Sequence, residues 1–132
     1  MQKTNTLGKT ERLKSFVRID KLFNTGRSFM TFPFIVYYTI GGEADTDCDQ
    51  MMVTVSKHYF KHAVDRNHIK RLTREAYRVR KSQLQNLTDK HFSIAFVYKC
   101  RHISTFDAIS AAMDTILSKF AQLLGEGGEK AE

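Results

Sequence analysis

A chain of 132 residues, 42% of them hydrophobic, suffices for one ordinary core and is too apolar for a disordered basic tail. Its 21 Lys and Arg against 14 Asp and Glu give a formal charge of +7, which favours a polyanionic partner, nucleic acid or an anionic membrane surface. Residues 1–10 lack the apolar stretch of a secretory signal, and the longest apolar run, residues 32–40, is too short to span a bilayer.

In chain order, residues 11–24 carry Leu13, Phe16, Ile19, Leu22 and Phe23 at helical spacing, with Gly26 where a C-terminal stop belongs. Residues 32–40, rich in β-branched and aromatic side chains, read as a strand with Pro33 near its start. Gly41, Gly42 and the acidic stretch to Asp49 form a loop, and residues 51–57 alternate as a half-buried strand. A long helix is expected over residues 63–85, followed by a strand at 92–98 with Ile94, Phe96 and Tyr98 on one face. The last helix, residues 104–124, buries Phe106, Ile109, Met113, Ile116, Leu117 and Phe120, with Ser104 and Asp107 resembling a capping box and Gly125 ending the run. With no repeat or linker, residues 1–124 read as one α+β domain and 125–132 as a mobile tail. Cys48 and Cys100 make neither a disulfide framework nor a zinc motif, so two reduced, passive thiols in a cytoplasm are expected.

The long helix carries the strongest functional signal. Projected at about 100° per residue, Arg66, Asn67, Lys70, Arg71, Arg74 and Arg78 fall within an arc of about 140°. Ile69, Leu72, Ala76 and Val79 occupy a separate arc of about 80° and are expected to face the core. A solvated helix face normally mixes charge signs, because like charges three or four residues apart repel. Here Glu75, at the edge, is the sole acid beside five cations. Arg forks onto phosphate oxygens, Lys supplies a mobile point charge, and Asn67 can bond a phosphate, a 2′-hydroxyl or a base edge. A membrane-surface helix fits less well, since its apolar residues are committed to the core.

The motif Arg66-Asn67, Lys70-Arg71, Arg74-Glu75, preceded by Thr54-Val-Ser-Lys57 and Ala63-Val64, resembles the signature of the protein component of bacterial ribonuclease P. Leu22-Phe23-x-x-Gly26 and Phe34-Ile-Val-Tyr37 resemble the same family's first helix and first strand, and the likeness runs from about Leu13 to Phe120. It implies a single-domain α-β-β-β-α-β-α sandwich with a left-handed βαβ crossover, similar to a ribosomal-protein domain. A further strand is then expected between Asp49 and Lys57 or paired nearby, since the pattern alone gives three. The resemblance further implies a non-catalytic subunit of an endoribonuclease, without catalytic residues or a metal of its own. Its partners would be ribonuclease P RNA, whose magnesium hydrolyses the 5′ leader from precursor tRNA, and the precursor tRNA itself. No membrane and no obligate protein partner is implied.

Carried over to this chain, the signature face is Arg66, Asn67, Lys70, Arg71 and Arg74, which Arg78 extends by helical projection. A leader cleft would be lined by Ile19, Phe23, Tyr37, Thr54, Ser56 and Lys57. Aromatic rings there suit unpaired bases of variable sequence. His68 stands where the family usually has Arg or Lys, Asp65 where an apolar residue is common, and Ile19 where an aromatic is frequent. His58 and His62 have the spacing of two helical metal ligands but no evident third. Ser56 has no His or Asp partner for nucleophilic work. The competing readings are a ribosomal or other structural RNA-binding protein, and a stand-alone enzyme with a basic cleft.

Overall fold

The computed structural model of the protein describes residues 19, 22–24, 26–40, 49–84 and 91–125. Four strands form one mixed sheet: β1 (Arg27–Thr31), β2 (Phe34–Ile40), β3 (Gln50–Val55) and β4 (Phe92–Tyr98), in the order β1-β2-β4-β3. Two long helices follow β3 and β4, α1 (Ala63–Arg78) and α2 (Phe106–Gly125), and a 3₁₀ turn at Lys81–Leu84 follows α1. Ile19 and residues 22–24 are helical, where the first helix was expected. The rest of that helix before Ile19, the acidic loop with Cys48, and the tail from residue 126 lie outside the described residues.

β4 pairs antiparallel with β2 and parallel with β3, so α1 lies in the crossover between adjacent parallel strands. Almost every β4 side chain is buried, as expected of a central strand covered on both faces. Phe34, Val36, Tyr38, Met51, Val53, Ile94, Phe96 and Tyr98 join Ile69, Ala76 and Tyr77 of α1 and Ile109, Met113, Ile116, Leu117 and Phe120 of α2 in one core cluster. The opposite sheet face carries a smaller cluster, in which Leu22 and Ala95 pack with Ile19, Phe23, Tyr37 and Met52. Gly26 permits this docking: its N–H donates to Leu22 O at 2.9 Å, and a Cβ there would stand 2.4 Å from that oxygen.

Several sequence expectations need correction. The additional strand lies upstream, at Arg27–Thr31, and not near residues 49–57; it forms a hairpin with β2 through Phe32 and Pro33. It is a short edge strand of mixed polarity, whose clearest core contact is Phe29 beside Tyr38, so local alternation hardly marks it. Phe32 and Pro33 consequently belong to the turn, and Ser56 and Lys57 lie beyond the end of β3. The long helix ends at Arg78, not at residue 85. Arg80 then leaves the helix to donate to Asp114 at 2.5 Å, to Ala76 O and to Ser110, tying α1 to α2.

The last helix begins at Phe106, which is exposed where burial was expected. Its cap is Thr105, whose Oγ1 accepts from the Ala108 N–H at 3.1 Å, while Ser104 instead engages the Tyr98 hydroxyl. Gly125 is the last residue of α2 and does not lie beyond it.

Candidate nucleic-acid interface

Which face of α1 is buried decides which cations it can present. Ile69, Thr73, Ala76 and Tyr77 are buried, whereas Leu72 is half-buried and Val79 exposed. The buried arc is therefore turned by about 60° from the one that Ile69, Leu72, Ala76 and Val79 suggest. Two residues with polar groups cause the shift. Thr73 satisfies its hydroxyl inside the helix by donating to Ile69 O at 2.8 Å, so its methyl enters the core at little cost. Tyr77 sets its ring against Phe96, with centroids 5.8 Å apart.

This rotation separates Arg66 from its neighbours. Arg66 projects into the buried arc, between Thr73 and Tyr77, and its Nη1 donates to Phe60 O at 2.9 Å and to Lys61 O at 3.0 Å. It fastens the segment before the helix, a positioning role the sequence pattern did not suggest. Asn67 and Arg71 are exposed, and Lys70, Arg74 and Arg78 are half-exposed beside them. Arg71 Nη2 lies 3.4 Å from His68 Nδ1, so the histidine sits against this face. Asp65 lies in the first turn, where its charge complements the helix N-terminus; the N-cap position is His62, which makes no side-chain cap bond.

Glu75 offsets part of the positive charge. Arg78 Nε and Nη2 donate to its two oxygens at 3.0 and 2.6 Å. This bidentate hydrogen bond holds the Glu75 carboxyl below its usual range, so it stays ionised throughout neutral pH. Glu75→Gln is expected to raise affinity for single-stranded RNA about two- to threefold at low salt and not at high salt, because exposed charges are screened. A fluorescence-anisotropy titration at two ionic strengths checks this, and an unchanged low-salt affinity would place Glu75 away from the bound RNA.

The second sheet face is built by register. Tyr37 and Met52 both pair with Ala95, giving one row across β2, β4 and β3; Ile35 and Thr54 both pair with Val97, giving the next. Leu22 closes over the first row, and Phe23 meets Tyr37 edge-on at 4.8 Å. Ile35, Val97 and Thr54 remain half-exposed. Ile19, Phe23, Tyr37 and Thr54 thus belong to one face, while Ser56 and Lys57 are exposed at its β3 end. Ser56 Oγ accepts from the His58 N–H at 2.9 Å and shapes the turn. Ile35, Met52 and Val97 join the floor although motif matching did not name them; strand alternation about Tyr37 and Thr54 was the available signal. β3 is the edge strand, and α1 packs against it from the core face of the sheet, opposite this one.

Among the described residues no group of three His, Cys, Asp or Glu gathers where a metal ion could be held. Nor is any described helix long and apolar enough to cross a membrane.

The family profile Ribonuclease P matches residues 7–121. The ribonuclease P protein component of Porphyromonas gingivalis is 35% identical over 118 residues, covering 87% of this chain and 86% of that one. The counterpart from Chlorobium phaeobacteroides is 36% identical over 105 residues, covering 71% and 72%. In fold, the chain is similar to the Staphylococcus aureus RNase P protein, with a TM-score of 0.66 at 24% identity over 83% of this chain and 94% of that one. A profile spanning most of the sequence, relatives matched over most of their length, and the same sheet and helices lead to one conclusion: the chain belongs to the ribonuclease P protein component family.

Proposed function

We propose that this protein acts in the cytoplasm as the protein subunit of ribonuclease P, with the exposed face of α1 on the catalytic RNA and the second sheet face on the 5′ leader of precursor tRNA. The observation that carries this reading is that one small fold presents two unlike surfaces, a cationic helix face and an apolar sheet face. Asn67, Lys70, Arg71, Arg74 and Arg78 suit a folded polyanion. Phe23 and Tyr37, over a floor of small and apolar side chains, suit unpaired bases of any sequence. Arg66 contributes by holding the segment that leads into the helix.

Hydrolysis belongs to the RNA and its magnesium. The donor groups among the described residues do not fit a metal site of the protein's own. What the chain does is bind, orient and neutralise phosphate repulsion between the two RNAs.

Adding the protein to a bacterial ribonuclease P RNA at low magnesium is expected to restore leader removal. RNA binding without such rescue would favour a structural RNA-binding role, and cleavage by the protein alone would overturn the reading. Tyr37→Ala is expected to weaken holoenzyme binding of precursor tRNA about tenfold, the worth of one base stacked on an aromatic ring, and to leave mature tRNA binding unchanged. Equal losses for the two would take Tyr37 out of leader recognition.

A further inference from the structure

An imidazole stands at the shoulder of the cationic face of α1. His68 lies half-buried beside Arg71, outside the buried arc, and its Nδ1 is 3.4 Å from Arg71 Nη2. A guanidinium offers only donors, so Nδ1 faces it as an acceptor and the ring proton sits on Nε2. The contact therefore belongs to the neutral ring. A second proton would turn an N–H toward Arg71 and set two cations side by side.

Among the described residues only Arg71 is bonded to this ring. On the same helix Asp65 lies one turn before it, and Glu75, two turns after, has its oxygens held by Arg78. Of the elements packed against α1, β3 carries no titratable side chain at Gln50–Val55. On α2, Asp114 is held by Arg80 at the other end of α1, Lys119 lies over the Phe29 ring, and Asp107 stands in the first turn. The segment that leads into α1 brings Lys57, His58, Lys61 and His62, all exposed.

A bound phosphate reverses the preference for the neutral ring. Arg71 is exposed and can fork onto phosphate oxygens, and an anion seated there lies within reach of the imidazole beside it. The protonated ring then donates to the same anion, whose charge offsets the repulsion between the two cations. Histidine changes charge between about pH 5 and 8, so the proton is available near neutrality.

We propose that His68 joins the RNA-binding face of α1 in its protonated form, so that docking on the catalytic RNA takes up a proton at this ring and tightens as pH falls. This rests on the reading of that face as the catalytic-RNA surface. The sign follows from linkage: a complex that holds one more proton than its free components gains stability as pH decreases through the titration range of the group. Fixed cations such as Lys70 and Arg71 have no such dependence near neutrality.

The test measures binding of the full chain to a bacterial ribonuclease P RNA at about pH 6 and about pH 8 for wild type, His68→Gln and His68→Arg. Wild type is expected to bind roughly tenfold more tightly at the lower pH, the worth of one charge-assisted contact, with a salt slope steeper there by about 0.9. His68→Gln should lack both changes and match wild type at the higher pH, which separates this ring from every other histidine. His68→Arg should be equally indifferent to pH and match wild type at the lower pH. Calorimetry in two buffers of different ionisation enthalpy should register more proton uptake for wild type than for either variant. A pH response shared by wild type and His68→Gln would overturn the proposal, as would a wild type indifferent to pH. Failure of the function reading is seen separately, as wild-type protein that does not restore leader removal at low magnesium. The proposal is then judged on a plain RNA hairpin with the same three proteins, where an equal pH response of wild type and His68→Gln overturns it.

Discussion

Replacing Lys70 and Arg71 together with glutamine is expected to weaken binding to ribonuclease P RNA on the order of 100-fold, with little change in thermal stability. Each charge-assisted contact to a phosphate is worth about 1.5 kcal/mol. The slope of log affinity against log salt should become shallower by about 1.8, the counterion release from two phosphates. Arg71 is exposed and Lys70 half-exposed, so neither substitution disturbs the core. Arg66→Gln differs in kind, because it also frees Phe60 O and Lys61 O from their guanidinium partner. It should loosen the segment before α1 and lower the melting temperature as well as the affinity. Filter binding across a salt series, with calorimetry on the free proteins, separates the two effects. A double variant that bound catalytic RNA with unchanged affinity and salt slope would remove this helix face from the interface.

Phe96→Ala is expected to destabilise the protein by about 3–5 kcal/mol, the usual range for emptying a buried aromatic site. Phe96 is fully buried at the centre of β4, with ring contacts to Phe34 at 6.0 Å and to Tyr77 of the basic helix at 5.8 Å. The cavity would open where α1 rests on the sheet, and β4 lies between strands on both sides and cannot shift to fill it. Loss of RNA binding in this variant should therefore track the fraction unfolded and recover on cooling toward the temperature of maximum stability. The Lys70/Arg71 variant should show no such recovery. Chemical denaturation gives the stability change, and a loss under about 1 kcal/mol would mean that the site collapses around the missing ring.

Sequence pattern served well where the relevant contacts are local. A charged stripe on a helix needs only 3.6-residue periodicity, so Asn67, Lys70, Arg71, Arg74 and Arg78 were legible together. The strands β2 and β3 were legible because their buried residues largely alternate, and β4 because its largest side chains recur at every second position. β1 was not, since most of its side chains are exposed and it exists by pairing with β2. Thr73 and Tyr77 were not counted toward the core, because a side chain's polarity does not tell whether a backbone carbonyl will satisfy it or its ring will be buried. Arg66 looked like its neighbours for the same reason: a periodic projection assigns a direction to a guanidinium but no partner.

The chain's own composition and periodicity thus determined that this is a folded, basic α+β domain with a cationic helix, since helical spacing and net charge are properties of consecutive residues. Only the tertiary structure decided which cations face outward, and that Phe23, Tyr37 and Thr54 share one sheet face. Those groupings come from the rotation of α1 on its core and from a parallel register between β3 and β4. Both are settled by packing between segments far apart in the chain, which no local pattern encodes.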